Sequence, residues 1–176
     1  MDSYNSSPHR RKVRLSEFDY SQPGANFVTI VTQERKKLFG EVVDGEMILN
    51  EVGSMVKEVW EVIPDHSPNV DLGVFVVMPN HVHGIINITE MEATHASPLP
   101  RVSKGPIPGS IGAIIGSFKS ATSKRIRGLD NNHRKRLWQR NYYEHVIRNE
   151  RDHQAIYDYI LANPINWEKD EENTYT

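Results

Sequence analysis

The sequence contains no cysteine. That excludes a disulfide framework, thiol catalysis and every zinc site built on thiolate. It also lacks any apolar run near the roughly 18 residues that suggest a membrane-spanning helix. The first residues, MDSYNSSPHRRKVR, hold no apolar segment of the kind found in a secretory signal. A cytoplasmic protein with no membrane partner is therefore expected, and the N-x-S/T matches at Asn5 and Asn87 carry no weight as glycosylation sites.

What is present suits one soluble domain: 176 residues, 38% of them apolar and 25% charged. The net charge of −2 hides a strong segregation. Residues 41–72 carry eight acids and one base, whereas residues 101–140 carry ten bases and one acid. A second basic cluster, Arg10, Arg11, Lys12 and Arg14, lies near the start, and the end is acidic again. A polyanion could dock on the basic parts while the bulk charge stays near zero. A merely solvated charged face accounts for the same pattern.

Periodicity gives the elements. NFVTIVT, residues 26–32, is β-branched and aromatic and predicts a strand. A short hairpin is expected over 40–43 and 46–50, turned at Asp44-Gly45. Val52, Met55, Val56, Val59, Trp60 and Ile63 fall at helical spacing, so a helix is expected over 51–63, ended by Pro64. Residues 70–78 and 81–89 read as two strands broken at Pro79-Asn80. A Pro-, Ser- and Gly-rich loop follows over 91–109. Ser110 is a candidate N-cap for a helix over 111–127. A strand is expected over 140–147 and a last helix over 150–162, stopped at Asn163-Pro164. The fold class is α+β: a split-βαβ, ferredoxin-like βαββαβ core with an antiparallel sheet and helices on one face, plus one extra C-terminal helix.

Three constellations carry chemistry. In His81-Val82-His83 the side chains two apart share one strand face, which sets two imidazoles side by side. They form a candidate metal pair, and without cysteine the other ligands must offer oxygen or nitrogen, as in a Mg²⁺, Mn²⁺ or His-rich zinc site. Two solvated strand histidines would leave the same trace. Gly84, next along, allows a backbone or ligand to approach closely. On the last helix, Tyr159 and Asn163 stand four apart on one face. A tyrosine hydroxyl is a possible phosphoryl nucleophile once a cation assists it, and Asn163 offers an amide oxygen to a hard cation. Tyr157 and His153 point away from that face. Finally, Lys119, Lys124, Arg125, Arg127, Arg134, Lys135, Arg136 and Arg140 surround Trp138, with Tyr142 and Tyr143 behind. Cations track a nucleic-acid backbone and aromatics stack unpaired bases, although at least one of these three aromatics is expected in the core.

The string Val77-Met78-Pro79-Asn80-His81-Val82-His83 resembles the His-hydrophobic-His (HUH) motif of single-tyrosine transposases. Trp138 to Asn149 and Tyr159-Ile160-Leu161-Ala162-Asn163-Pro164 resemble the same family, as do Arg14-Leu15 through Asp19-Tyr20-Ser21 and Phe27-Val28-Thr29-Ile30. Together they resemble the REP-associated tyrosine transposase branch over about residues 10–168, in two separated motifs in the right order. The resemblance implies a metal-dependent enzyme that nicks and rejoins single-stranded DNA, with hairpin or repeat sequences as partner and Mg²⁺ or Mn²⁺ as cofactor. It implies His81 and His83 as metal ligands on a central strand, Tyr159 as nucleophile and Asn163 as a third ligand. It divides the chain into a basic, irregular arm over 1–25, a catalytic domain over 26–168 and an acidic tail over 169–176. DNA contacts are expected from the cations of the two basic segments and from Trp138. Monomer and homodimer both remain open. Two alternatives stand beside it: a hairpin-DNA-binding protein that no longer cuts, and an unrelated metal hydrolase, for which His145 is the spare histidine.

Overall fold

Local chemistry sets the element ends. The computed structural model describes residues 23–90, 106–129 and 136–173. Strand β1 spans Gly24–Val31. The hairpin strands β2, Gly40–Val43, and β3, Glu46–Leu49, meet at Asp44 and Gly45. Both turn residues have positive φ, 51° and 79°. A two-residue turn matched to strand twist requires that, and Asp-Gly supplies it. Helix α1, Glu51–Glu61, is capped by Asn50, whose side chain accepts from the Gly53 amide. The expected helix does not run to Ile63. It stops at Glu61, and Pro64 falls in the first turn of a separate short helix, α2, Ile63–His66. There the missing proline N–H leaves no hydrogen bond unmade. Strands β4, Val70–Val77, and β5, His81–Ile88, follow. Helix α3, Ile111–Arg127, has Ser110 as its N-cap. Strand β6 covers Tyr143–Ile147, shorter than expected at its start. Helix α4, Glu150–Ala162, is capped by Asn149. Among the described residues no helix is long and apolar enough to cross a membrane.

The main sheet has the order β4-β5-β1-β6, and every pairing is antiparallel. The chain passes from β1 through α1 to β4, skipping over β5, and from β5 through α3 to β6, skipping over β1. These two interlocked crossovers are the split-βαβ arrangement.

Alternation gives the sheet two buried faces. Val28, Ile30, Val82, Ile86 and Ile88 join Val56, Trp60, Ile115 and Phe118 in the larger core beneath α1 and α3. Phe27 and Ile85 face the other way and meet Ile160 of α4. Strand β5 is therefore buried along almost its whole length. A one-residue bulge in β4 between Leu72 and Phe75 keeps the alternation matched on both sides of Gly73 and Val74. Gly84 is small for a reason other than ligand approach. A Cβ there would overlap Trp60 Cζ2 from the α1 side, so the indole packs directly on the strand at this position.

That contact yields a paired test. Gly84→Ala should cost about 1–3 kcal/mol by overpacking. A Cβ on Gly116, exposed in α3, meets nothing within 4 Å. Gly116→Ala should therefore stabilise by up to about 1 kcal/mol. Thermal melts followed by circular dichroism read both, at roughly 2–4 °C per kcal/mol for a chain of this size. Equal melting points for the two variants would show that the Trp60 contact does not constrain the strand.

Candidate active site

The odd-numbered side chains of β5 point toward α4. His81 and His83 are both buried, and their ring centroids are 4.3 Å apart. Their lateral neighbours are fixed by register: His81 faces Val31, and His83 stands between Thr29 on β1 and Val76 on β4. Burial lowers the pKa of both. Asp170 and Asn163 partly offset this at His81, and His81 lowers His83 further. Both rings are thus neutral near pH 7, the state in which imidazole ligates a metal.

Hydrogen bonds decide which nitrogen is free. Asn80 is completely buried, and its Nδ2 donates to the carbonyls of Arg35 at 3.0 Å and Glu172 at 2.8 Å. Its Oδ1 is thereby turned toward His81 Nδ1, at 2.8 Å. An amide oxygen only accepts, so Nδ1 carries the proton and Nε2 keeps its lone pair. His81 Nε2 is buried with no hydrogen-bond partner. His83 is held in parallel fashion: Nδ1 lies 2.8 Å from Thr29 Oγ1, and Nε2 lies 3.3 Å from the Tyr159 hydroxyl. The loop that presents the Arg35 carbonyl is strained, since Glu34 and Arg35 both have positive φ, 60° and 52°. The β4–β5 turn is clamped as well, with Pro79 O accepting from Leu38 N and Phe39 N.

Helix α4 lays Ile156 and Ile160 on the sheet, and this packing delivers Tyr159. Its ring stands edge-on to Phe27, with centroids 6.0 Å apart, and 5.2 Å from the His83 ring. The tyrosine is half exposed, and its pKa is pushed up to about 12 by burial, then by Asp170, Glu171 and Glu172, against a lowering bond from Asn163. Asn163 caps α4 and is buried. Its Nδ2 donates to Asp170 Oδ2 at 2.8 Å, while its Oδ1 is buried without a hydrogen-bond partner.

Asp170 is the residue that sequence reasoning missed. One ligand atom from each of His81, His83 and Asp170 lies within 4.8 Å of the others. Asp170 is carried there by a short 3₁₀ turn, Trp167–Lys169, whose Trp167 packs 5.9 Å from the His81 ring. Arg35 pins the segment through Glu172 at 2.8 Å. The one available signal was the elimination argument that a cysteine-free site needs oxygen or nitrogen ligands. Nothing in the acidic run singled out Asp170. Two neutral imidazole nitrogens, a carboxylate and an unpartnered amide oxygen form a mixed donor set that fits a divalent cation such as Mn²⁺ or Mg²⁺.

The remaining candidates are scattered. Arg10, Arg11, Lys12, Arg14, Arg134 and Lys135 lie outside the described residues. Lys119 is turned inward, its ammonium donating to the carbonyls of Gln139 and Asn141, both at 2.9 Å, and burial lowers its pKa to about 8. Lys124, Arg125 and Arg127 are exposed on the last turn of α3, on the far face of the sheet, where Arg125 pairs with Glu58. Arg136 and Arg140 are exposed. Trp138 is a correction: it is 3% exposed, its indole donates to Thr122 Oγ1, and its ring packs on Phe39 and Phe118. It cannot stack a base. His145 is paired with Asp152 at 2.9 Å and stands outside the His81–His83–Asp170 group.

No family model matches the chain. An uncharacterized protein of Haemophilus influenzae is 42% identical over 168 residues, spanning 93% of this chain and 92% of its own. A second Haemophilus influenzae protein, named "Putative REP-associated tyrosine transposase", is 27% identical over 151 residues, covering 84% of this chain and 73% of its own. Among solved structures, a REP-associated tyrosine transposase bound to a REP hairpin superposes with a TM-score of 0.59 at 22% identity, over 87% of this chain and 74% of that one. The last likeness establishes the shared fold.

Two measurements test the site. Asn80→Ala removes the acceptor that orients His81 and should weaken Mn²⁺ binding about 10–100-fold by calorimetry. Unchanged affinity would show that the tautomer is set elsewhere. In the metal-free protein, the lowered pKa values of His81 and His83 mean that the unfolded chain takes up protons first. Stability should then fall as the pH drops below about 6.5. The urea midpoint measured at pH 7 and pH 5 in chelator reads the slope, which should flatten in His83→Gln.

Proposed function

We propose that the chain acts as a tyrosine transposase of the REP-associated kind, which it resembles in sequence and fold, and that it nicks and rejoins single-stranded DNA with Tyr159 as the nucleophile. One observation carries this reading: the Tyr159 hydroxyl lies 3.3 Å from His83 Nε2, beside a second buried imidazole whose Nε2 has no partner. A nucleophile, the unprotonated Nε2 of His81 and the Nε2 of His83 converge on one spot. A transposase-type function is supported by the relatives. Its metal dependence and its chemistry are proposed here.

His81 and His83 would hold a divalent cation, Mg²⁺ or Mn²⁺, with Asp170 and the free Oδ1 of Asn163 completing the oxygen side. Bound there, the cation supplies Lewis-acid polarisation of the scissile phosphate. The protein's own part is positioning. Phe27 and His83 brace the Tyr159 ring from two sides, which would hold the phenol for the in-line attack that phosphoryl transfer requires. The Tyr159 oxygen–phosphorus bond forms as the bond to the 3′-oxygen breaks, and the 3′-oxygen leaves as a hydroxyl, taking up one proton for the one the phenol releases. A 5′-phosphotyrosine results. A second DNA 3′-hydroxyl reverses the step, and the phosphodiester count is conserved, so no external energy source is needed. The solved relative holds a REP hairpin, and hairpin DNA with single-stranded flanks is the substrate class proposed for this chain.

The raised pKa of Tyr159 fits this scheme. Three carboxylates bear on the phenol, Asp170 foremost, and a cation beside Asp170 offsets them.

The test is covalent trapping. Labelled hairpin oligonucleotides incubated with protein and Mn²⁺ should give a shifted band on a denaturing gel, lost in Tyr159→Phe, in His83→Ala and in chelator. Asp170→Asn should reduce the band by tenfold or more, about 1.4 kcal/mol in the barrier. An adduct that persists in Tyr159→Phe would overturn the nucleophile assignment. Hairpin binding with no adduct in the unaltered protein would favour a binder that does not cut.

A further inference from the structure

We propose that Tyr143 is a stacking platform for an unpaired base of the DNA strand at this site, an inference that rests on the nicking reading above. Tyr143 opens β6, the last strand at that side of the sheet. It is paired with Thr29, whose other lateral neighbour is His83. Tyr143, Thr29 and His83 therefore form one row across three strands, all on the face that carries Tyr159. At about 4.8 Å per strand, Tyr143 stands roughly 10 Å from His83 along that row.

Its environment is unusual for an aromatic. Tyr143 is 50% exposed, although the neighbouring rings on the same face are buried or half-buried. It is not loose: its ring meets the edge of Phe27, with centroids 6.1 Å apart at 66°. The same Phe27 ring also braces Tyr159 and His83. One buried phenylalanine thus sets the angles of the nucleophile, a metal-ligating imidazole and an open aromatic ring. Exposed cations flank the strand, Arg140 before it and Arg148 after it. A charged track beside an open aromatic face is how single strands are held, because every base has a π-face. Of the three aromatics in this stretch, Trp138 is sealed in the core and Tyr142 packs against it, which leaves Tyr143 as the open ring.

The experiment uses the full-length protein and two probes of equal length: fluorescein-labelled oligo-dT, and the same sugar–phosphate chain made abasic. Tyr143→Ala should bind oligo-dT about 5- to 150-fold more weakly than the unaltered protein, the span expected for one stacked base. Tyr143→Phe should bind within about twofold of it, since the π-face is kept. The three native tryptophans are buried, so Tyr143→Trp adds an exposed indole whose emission oligo-dT should quench and the abasic chain should not. Equal affinity for the alanine variant, equal quenching by the abasic chain, or no oligo-dT binding by the unaltered protein would each overturn the proposal. Its failure is separable from that of the nicking reading. An adduct in the trapping assay with unchanged Tyr143→Ala binding removes only the platform. Tyr143-dependent binding with no adduct removes only the cutting.

Discussion

Two neutral imidazoles buried side by side on a central strand are the constraint around which the rest is arranged. Burying one polar ring is tolerable when both nitrogens find partners, whereas burying two adjacent rings with one nitrogen left bare is costly. The chain meets the demand on one side only. Asn80 and Thr29 take up the two Nδ1 positions, while His81 Nε2 and the nearby Asn163 Oδ1 stay without hydrogen-bond partners. Such a half-satisfied polar cluster is a strain reservoir unless a ligand completes it. Its supports are correspondingly strong: a strained carbonyl at Arg35, a clamped Pro79 turn and a C-terminal segment tied down by an ion pair.

The split-βαβ sheet makes this placement possible because both of its faces are covered. The α1–α3 layer gives β5 a deep hydrophobic anchor through Val82 and Ile86. The opposite face is then free to carry polar chemistry under a single helix. On that side the apolar contribution is small, chiefly Phe27, Ile85 and Ile160. Among the described residues most of the apolar burial therefore lies in the layer away from the candidate site, a division that lets the other face tolerate unsatisfied groups.

What could be read from the sequence was local. The capping residue Ser110, the Asp-Gly turn, the helix carrying Tyr159 and the same-face spacing of His81 and His83 all follow from short-range rules, and the structure agrees with each. The misses are tertiary. Trp138 sits in a basic stretch but fills a hole between Phe39 and Phe118, which no local pattern reveals. Gly84 answers to Trp60, from a helix more than twenty residues earlier. Asp170 reaches the histidines through contacts remote in sequence: Trp167 packs on His81, Asn80 holds the Glu172 carbonyl and Arg35 pairs with the Glu172 carboxylate. Asn80 reads as a turn residue, and its grip on His81 depends on carbonyls from two remote segments.

The C-terminal segment also bears on local unfolding. The 3₁₀ turn and Asp170 are held over the histidines by side chains of Asn163, Asn80 and Arg35, and not by sheet pairing. A segment held in that way opens at a lower free-energy cost than the strands beneath it. A cation shared by Asp170 and the two histidines would act as its latch.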